Sequence, residues 1–241
     1  MYKNIIFDIY GTLIDIKTDE NSTSFWKDIS SLFLVCGASY KPLELKKAYE
    51  IKCQEYQRRL ERKLKTKDVE IDLYFVFKSL LKDKGVLTQK SKIIQLLKSF
   101  REKSIKYICL YDGVKELLVK LKEEKYRLFI LSNAQKHFTI DELKKLGIYN
   151  YFDGIILSST KRIKKPNKDF SKAIIDKYNL SIDESIYIGN DMYQDIEGSM
   201  TLGLDSIYIK TNLSPVYTGD NKAKFEIINK TILDVEKLIK D

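Results

Sequence analysis

The sequence contains few of the residues on which several classes of protein depend. Its 241 residues include one histidine, three cysteines and three prolines. A single histidine, His137, excludes a histidine-rich metal centre, and three scattered cysteines supply neither a disulfide framework nor a metal knuckle. No stretch approaches the roughly 20 continuous apolar residues of a membrane helix, and the N-terminal apolar run is too short for a signal peptide. We therefore expect a globular protein of the reducing cytoplasm with no membrane partner.

The composition is rich in charge as well as in apolar residues. The chain is 44% hydrophobic and 32% charged, and its net charge is +9 at pH 7. A basic protein can attract nucleic acid, but the lysines here are interleaved with acidic residues and form no single stripe. The densest basic cluster, at 161–165, lacks the aromatic residues on which bases could stack. We therefore predict a solvated surface and no nucleic-acid partner, with a cluster that could help to attract an anionic substrate.

Hydrophobic periodicity divides the chain into two kinds of region. Residues 3–9 predict a buried strand, because apolar residues follow one another there without alternation. From about 20 to 105 the pattern is instead that of amphipathic helices. Four are predicted, at about 23–37, 42–63, 69–84 and 89–105. With no strand between them, these helices indicate an inserted helical domain.

The remainder of the chain alternates strands with helices. Strands are predicted at about 127–131, 154–158, 185–188, 206–209 and 225–228, and helices at about 112–124, 138–146, 167–178, 192–202 and the C-terminus. Repeated strand–helix units produce a parallel sheet with helices on both faces. The predicted fold class is therefore α/β, a Rossmann-like doubly wound parallel sheet with an inserted all-helical domain. Ligands of such sheets bind beyond the carboxyl ends of the strands.

Four polar segments lie at or just beyond predicted strand ends. They are Asp8-Ile9-Tyr10-Gly11-Thr12, Ser132-Asn133, Lys165-Pro166, and Gly189-Asn190-Asp191 with Asp195. An aspartate at a strand end can attack phosphorus or carbon and form a covalent intermediate. A glycine turn presents backbone N–H groups to an anion, and a hydroxyl and an ammonium can bind it and offset its charge. Carboxylates in the last segment can hold Mg²⁺.

Each segment also has a structural interpretation when it is taken alone. Ser132-Asn133 could simply cap the following helix. Asp191 and Asp195 could be acids favoured by a helix macrodipole, a role that is compatible with metal binding. Lys164 adjoins Lys165 and is a competing candidate on physical grounds. The four segments together are far more specific than any one of them.

In this order, the four segments resemble the haloacid dehalogenase (HAD) superfamily. The resemblance covers the whole chain, with a helical cap inserted between the first and second segments. It implies a core domain formed by residues 1–15 and 106–241 and a cap domain formed by residues 16–105. It also implies that Asp8 is the nucleophile, Ser132 the phosphate-binding hydroxyl and Lys165 the charge-stabilising lysine.

The resemblance also implies a magnesium site and a substrate site. The metal would be held by the Asp8 carboxylate, by the backbone carbonyl of Tyr10 and by the last segment. Candidate ligands in that segment are Asn190, Asp191 and Asp195. Candidate substrate-binding residues are Gly11, Thr12 and Asn133.

The sequence departs from the usual phosphatase pattern at two positions. Tyr10 stands where most of these phosphatases have a second aspartate that acts as general acid. A tyrosine, with an ordinary pKa of about 10, can donate a proton but is a poor base. Asn190 stands where many members have the first metal-binding aspartate, although its amide oxygen can still ligate Mg²⁺.

Asp-x-Tyr-Gly-Thr is also the form found in the 2-haloacid dehalogenase branch, so three functions are compared. We favour a Mg²⁺-dependent phosphatase of small phosphorylated metabolites that acts through an aspartyl phosphate. In this interpretation Tyr10 helps to protonate the leaving oxygen and the cap excludes water. The first alternative is a metal-independent 2-haloacid dehalogenase, which the acid-rich last segment disfavours because an extra carboxylate repels a carboxylate substrate. The second is a catalytically weak, ligand-binding member. The chain would be a monomer or a homodimer.

Overall fold

A parallel sheet lies at the centre of the computed structural model, which describes residues 1–229 and 231–240. The strands are β1 (Asn4–Phe7), β2 (Ile14–Thr18), β3 (Ile105–Leu110), β4 (Arg127–Ser132), β5 (Gly154–Leu157), β6 (Ser185–Gly189), β7 (Asp205–Ile209) and β8 (Phe225–Ile227). Six of them form the central sheet in the order β5-β4-β1-β6-β7-β8, and every neighbouring pair is parallel. The central strand β1 is therefore flanked by β4 and β6.

Helices account for most of the remaining chain. They are α1 (Thr23–Val35), α2 (Pro42–Leu64), α3 (Leu73–Asp83), α4 (Lys90–Ser104), α5 (Val114–Glu123), α6 (Lys136–Lys145), α7 (Ser158–Lys161), α8 (Lys168–Tyr178), α9 (Gly198–Met200) and α10 (Val235–Leu238). Short 3-10 turns occur at Tyr149–Tyr151 and Ile232–Asp234, and Met192–Glu197 is π-helical. No helix within the two described ranges has both the length and the apolar character needed to cross a membrane.

Alternate side chains of β1 enter two different hydrophobic layers, as the two-residue period of a strand requires. Ile5 and Phe7 pack in the layer that contains Leu117 of α5. Ile6 packs in the opposite layer with Phe170 of α8. All four residues of β1 are buried, because helices cover both faces of the sheet. The predicted α/β fold, a parallel sheet with helices on both faces, is confirmed.

Helices α1 to α4 have a hydrophobic cluster of their own. It is built around aromatic side chains, including Phe25, Trp26, Phe33, Phe77 and Phe100. Most of these rings meet edge to face, the arrangement that aromatic quadrupoles favour. The four predicted helices are all present. The division into a core domain and a cap domain at residues 15/16 and 105/106 stays a prediction.

Strands β2 and β3 were not predicted. They form a separate antiparallel pair, from Ile14 opposite Leu110 to Thr18 opposite Ile105. The apolar run of β3 directly follows α4, so its sequence pattern merges with that of the helix. Its partner strand lies far away in the sequence, and local periodicity does not indicate which distant segments pair. The two strands carry the chain into α1 and back out of α4.

Two predicted helices differ from those observed. The helix predicted at 69–84 begins only at Leu73, where the Asp72 carboxylate caps it by accepting from the Tyr74 N–H at 2.8 Å. Val69, placed inside the predicted helix, instead forms an antiparallel bridge with Ile163. The helix predicted at 192–202 is π-helical over its first part, a geometry that is frequent at functional sites.

Candidate active site

The predicted polar segments meet at the carboxyl edge of the sheet. Asp8 follows β1, while Ser132 ends β4 and Asn190 follows β6, so the strand order places Asp8 between the other two. A pocket of about 180 Å³ lies at this edge. It is lined by Asp8, Tyr10, Ser132, Asn133, Lys165, Asn190, Asp191, Gln194, Asp195, Leu213 and Pro215. Of the predicted site residues, only Gly11 and Thr12 are missing from this set.

Lys165 joins two carboxylates at the base of the pocket. Its Nζ donates to Oδ1 of Asp8 and to Oδ1 of Asp195, in both cases at 2.6 Å. The exposed fractions of Asp8, Lys165 and Asp195 are 7%, 3% and 2%. Burial raises the pKa of Asp8 to about 6, although the nearby ammonium acts to lower it. The pKa of Lys165 is itself raised, because Asp195 and Asp8 outweigh the lowering effect of burial. The lysine therefore stays charged.

Tyr187 supports this lysine and was not identified from the sequence. Its hydroxyl accepts from Lys165 Nζ at 2.9 Å and lies 2.9 Å from the carbonyl oxygen of Leu131. It also lies 3.1 Å from Oδ1 of Asp195. Since Tyr187 belongs to an apolar strand, its pattern predicted only a core residue. Its hydroxyl is nevertheless part of the buried polar network.

The Asn133 side chain forms hydrogen bonds with the backbone of Lys165. Its Oδ1 accepts from the N–H of Lys165 at 2.8 Å, and its Nδ2 donates to the carbonyl oxygen of Lys165 at 3.2 Å. Nδ2 also lies 2.5 Å from Oε1 of Gln194. The Asn133 side chain therefore fixes the position of Lys165, and only its backbone is left to contact a substrate.

Three backbone N–H groups near Asp8 are available to an anion. The N–H groups of Ile9, Tyr10 and Asn133 donate no hydrogen bond to any part of the chain that the structure describes. By contrast, the N–H of Gly11 donates to the carbonyl oxygen of Ile14 at 2.8 Å, and that of Thr12 donates to Ile9 at 3.2 Å. The amides that could bind an anion are thus those of Ile9, Tyr10 and Asn133, and the amide of the predicted glycine is already paired.

Gly11 instead provides close approach to Asn190. It has φ +86°, and a Cβ atom built on it would lie 2.2 Å from Nδ2 of Asn190. Asn190 is buried, and its Oδ1 accepts from the Thr12 hydroxyl at 3.2 Å. These contacts explain why glycine is needed here, and they place Thr12 behind Asn190 and not in the pocket lining.

Substitution of Gly11 by alanine is expected to destabilise the protein by more than the ~1–3 kcal/mol cost of a strained backbone residue, because the new Cβ must also displace Asn190. Gly147→Ala is the matched control. Gly147 has φ +71°, but a Cβ there would meet nothing within 4 Å. Urea unfolding of both variants measures the difference. If the two variants were equally destabilised, displacement of the Asn190 side chain would contribute nothing to the free energy of unfolding.

The two acids of the last segment have different partners: Asp191 caps the following helix, and Asp195 binds Lys165. Oδ1 of Asp191 accepts from the N–H groups of Tyr193 and Gln194 at 3.0 and 2.9 Å. Oδ2 of Asp195 accepts from the N–H of Asp191 at 2.9 Å, while its Oδ1 is held by Lys165. Burial raises the pKa of Asp191. Both oxygens of Asp195 are thus occupied by the protein, whereas Oδ2 of Asp191 is not part of its capping interaction.

The donor set fits magnesium. The lining residues Asp8 and Asp191 carry carboxylates, Asn190 carries an amide oxygen, and Tyr10 carries a backbone carbonyl. Over residues 1–229 and 231–240, no three or more His, Cys, Asp or Glu side chains form a group that could hold a metal ion. A metal here would therefore keep water molecules and use one or two carboxylates with neutral oxygens. That is the coordination that Mg²⁺ adopts in proteins.

The Tyr10 side chain is engaged by helix α6. Its hydroxyl donates to the Glu142 carboxylate and lies 3.0 Å from Oγ1 of Thr139. Burial, followed by the charge of Glu142, raises the pKa of Tyr10 well above its ordinary value. The proton of this hydroxyl is therefore held tightly, and donation to a leaving group would require its bond to Glu142 to break. Neither Thr139 nor Glu142 was identified from the sequence.

The segment after β7 forms one wall of the pocket. Leu213 and Pro215 belong to the pocket lining, and neither was predicted, because they lie in no motif. Thr211 connects this segment to the turn that follows Asp8, because its hydroxyl donates to the carbonyl oxygen of Gly11 at 2.8 Å. The wall is apolar and lies among charged neighbours.

The basic cluster at 161–165 is dispersed in the structure. Lys165 enters the pocket, but Arg162 pairs with Asp72 at 2.9 Å and lies 4.9 Å from the ring centre of Phe75. The N–H of Lys164 donates to the carbonyl oxygen of Asp68 at 2.9 Å. Only one of these basic side chains lines the pocket.

Known proteins similar to this chain include hydrolases of the family that the four segments resemble. The chain matches the family model for haloacid dehalogenase-like hydrolases over residues 5–209. It is 25% identical over 242 residues to a glyceraldehyde 3-phosphate phosphatase of Methanothermobacter thermautotrophicus, which covers 98% of this chain and 94% of that relative.

Two solved structures show the same fold. The chain resembles the magnesium-bound HAD-hydrolase YfnB of Bacillus subtilis with a TM-score of 0.58, at 19% identity, covering 100% of this chain and 99% of that one. It resembles a 2-haloacid dehalogenase of Pseudomonas syringae pv. Tomato DC3000 with a TM-score of 0.66, at 14% identity, covering 100% and 99%. These identities are low, so the two structures establish the shared fold alone.

Proposed function

Because the chain belongs to the haloacid dehalogenase-like hydrolase family, as its four segments predicted, we propose that it is a Mg²⁺-dependent phosphatase of small phosphorylated metabolites. The observation that carries the proposal is the ammonium of Lys165, held 2.6 Å from both Asp8 and Asp195. It binds Oδ1 of Asp8 and leaves the other carboxylate oxygen to attack phosphorus. The positive charge of the ammonium offsets the negative charges of both Asp8 and an anionic substrate.

The proposed reaction passes through an aspartyl phosphate. Asp8 attacks the phosphorus atom in line, and the ester oxygen departs with a proton. Ser132 and the free N–H groups of Ile9, Tyr10 and Asn133 hold the non-bridging oxygens. Water then attacks the phosphorus, the bond between phosphorus and the Asp8 oxygen breaks, and inorganic phosphate leaves as the Asp8 carboxylate is restored. The chemistry that Mg²⁺ supplies, when bound by Asp8, the Tyr10 carbonyl and Asn190 or Asp191, is neutralisation of charge on the phosphoryl group.

Pocket size and one relative support a small substrate. A pocket of about 180 Å³ accommodates a phosphoryl group with a short carbon chain and is below the usual range for drug-sized ligands. The relative from Methanothermobacter thermautotrophicus is named for a three-carbon phosphate ester. We propose a substrate of this class, a cytoplasmic location, and a monomer or homodimer as the active species.

A second candidate function rests on Tyr10. The Asp-x-Tyr-Gly-Thr form also suits a metal-independent 2-haloacid dehalogenase, in which Asp8 displaces halide from carbon. The carboxylate of Asp191 at the same pocket weighs against it, because it repels a carboxylate substrate unless a cation lies between them, whereas Asp195 is already paired with Lys165.

One assay separates the two functions. Phosphate release from para-nitrophenyl phosphate and glyceraldehyde 3-phosphate is measured with Mg²⁺ and with excess chelator, beside halide release from 2-chloropropionate. We expect chelation to slow phosphate release by on the order of a hundredfold, reversibly, since the metal stabilises transition-state charge by several kcal/mol. Halide release that persists in chelator would overturn the proposal. Tight binding of a phosphate ester without turnover would identify a catalytically weak, ligand-binding member.

A further inference from the structure

Tyr10 lies in a buried polar cluster that the proposed chemistry does not use. Its hydroxyl donates to Glu142 and lies 3.0 Å from Oγ1 of Thr139, and both partners are on α6. The exposed fractions of Thr139 and Glu142 are 0% and 6%. A carboxylate so deeply buried is costly unless a cation and hydrogen-bond donors compensate it.

The compensating cation comes from α4. Nε of Arg101 donates to Oε1 of Glu142 at 2.6 Å, and the two side chains are 13% and 7% exposed. The guanidinium carbon lies 5.5 Å from the ring centre of Tyr10 and 5.1 Å from that of Phe138. Arg101 is in the last turn of α4, just before that helix passes into β3. Glu142 is therefore bonded at once to the nucleophile segment and to α4.

Two exposed ion pairs join the same helices and serve as a reference. Lys98 pairs with Asp141 at 2.6 Å, and Lys145 pairs with Glu102 at 2.8 Å. These side chains are between 37% and 67% exposed, so solvent screens the pairs and they contribute little. The buried Arg101–Glu142 pair is the specific connection between α4 and α6.

We propose that Tyr10 is a positioning residue, and that Glu142 and Arg101 hold its hydroxyl so that the segment from Asp8 to Gly11 is fixed and coupled to α4. This inference rests on the proposed function and deepens it. The position at which most phosphatases of the family carry an acid is here a structural link. Protonation of the leaving oxygen then falls to water or to the substrate, and the Tyr10 side chain takes no part in it.

The dependence of the rate on the leaving group tests this role. A general acid matters greatly for an alkyl phosphate, whose leaving oxygen is basic, and little for para-nitrophenyl phosphate. Tyr10→Phe keeps the ring and the backbone carbonyl and removes only the hydroxyl. We expect it to lower kcat for para-nitrophenyl phosphate and glycerol 3-phosphate by the same factor, less than about tenfold, with KM nearly unchanged. A loss at least ten times larger for the alkyl ester would show that Tyr10 is the acid and overturn the proposal.

A double-mutant comparison tests the link to Glu142. Because both side chains act through one bond, Tyr10→Phe combined with Glu142→Gln should lower kcat no further than Glu142→Gln alone. Asp141→Asn and Glu102→Gln are the matched controls on the same two helices and should leave kcat unchanged. A double variant whose loss of kcat equals the product of the two single losses would contradict a common role.

A measurement independent of turnover keeps this inference separate from the proposed function. Amide hydrogen exchange at Asp8 and Gly11, whose N–H groups donate to the carbonyl oxygens of Ile188 and Ile14, is compared in the wild type, Glu142→Gln and the Asp141→Asn control. We expect exchange to accelerate severalfold in Glu142→Gln alone. Unchanged exchange would overturn the inference even if the protein were a phosphatase, and accelerated exchange would support it even if no phosphate ester were hydrolysed.

Discussion

Substitution of Lys165 by methionine is expected to abolish turnover and to lower the free energy of unfolding by about 3–5 kcal/mol, the typical cost of removing one partner of a buried ion pair. The methionine fills a similar volume but leaves the carboxylates of Asp8 and Asp195 without their common cation. Asp195 is 2% exposed, so water cannot replace the ammonium there. Urea unfolding in metal-free buffer measures the change in stability, and the phosphatase assay measures the loss of activity.

Lys164→Met is the matched control for this experiment. The two lysines are adjacent, and the sequence alone gave no physical reason to choose between them. The structure buries Lys165 between two carboxylates, whereas the Lys164 side chain does not line the pocket. Lys164 is half-buried. We expect Lys164→Met to lower the free energy of unfolding by about 1 kcal/mol, the usual cost of a point substitution and well below that of Lys165→Met. If Lys164→Met were the more damaging variant, the assigned role of Lys165 would be wrong.

Asp8→Asn is expected to reduce kcat/KM by a thousandfold or more, the order of loss that follows removal of a covalent nucleophile. The amide keeps the shape of the side chain and can still accept from Lys165, but it cannot attack phosphorus. Because Asp195 still pairs with Lys165, we expect the fold to be retained. Initial rates with para-nitrophenyl phosphate and a thermal unfolding curve separate these two effects.

Asp176→Asn provides the reference for the charge change itself. Asp176 lies on α8, outside the pocket lining, and forms an exposed ion pair with Lys172. Its replacement should leave the rate unchanged. Turnover of Asp8→Asn at a substantial fraction of the wild-type rate, with the amide shown intact by mass spectrometry, would exclude Asp8 as the nucleophile.

Most of the pocket could be predicted because its residues follow a local rule. Asp8, Ser132 and Asn190 each come at the end of an apolar strand run, and parallel strands bring such ends to one edge. This rule needs only the periodicity of single segments. Together with the family resemblance, which alone selected Lys165, it led from the sequence to the fold and to eight of the lining residues.

What was missed depends on contacts between distant segments. Tyr10 and Glu142 are 132 positions apart, and neither sequence neighbourhood indicates the other. The hydroxyl of Tyr187 lies in an apolar strand, where periodicity predicts only burial. The β2–β3 pair was overlooked for the same reason, since strand pairing at long range leaves no local signal. Only the three-dimensional structure provides these contacts, and the role proposed for Tyr10 rests on the first of them.

The central claim is that Asp8 becomes phosphorylated, and trapping the intermediate tests it most directly. The enzyme is mixed with Mg²⁺ and para-nitrophenyl phosphate and quenched in acid within milliseconds, and its peptides are then mapped by mass spectrometry. The account predicts one phosphoryl group, labile to hydroxylamine as an acyl phosphate is, on the peptide that contains Asp8 and on no other. Turnover with no phosphoryl group on that peptide, or with the group on another residue, would contradict it.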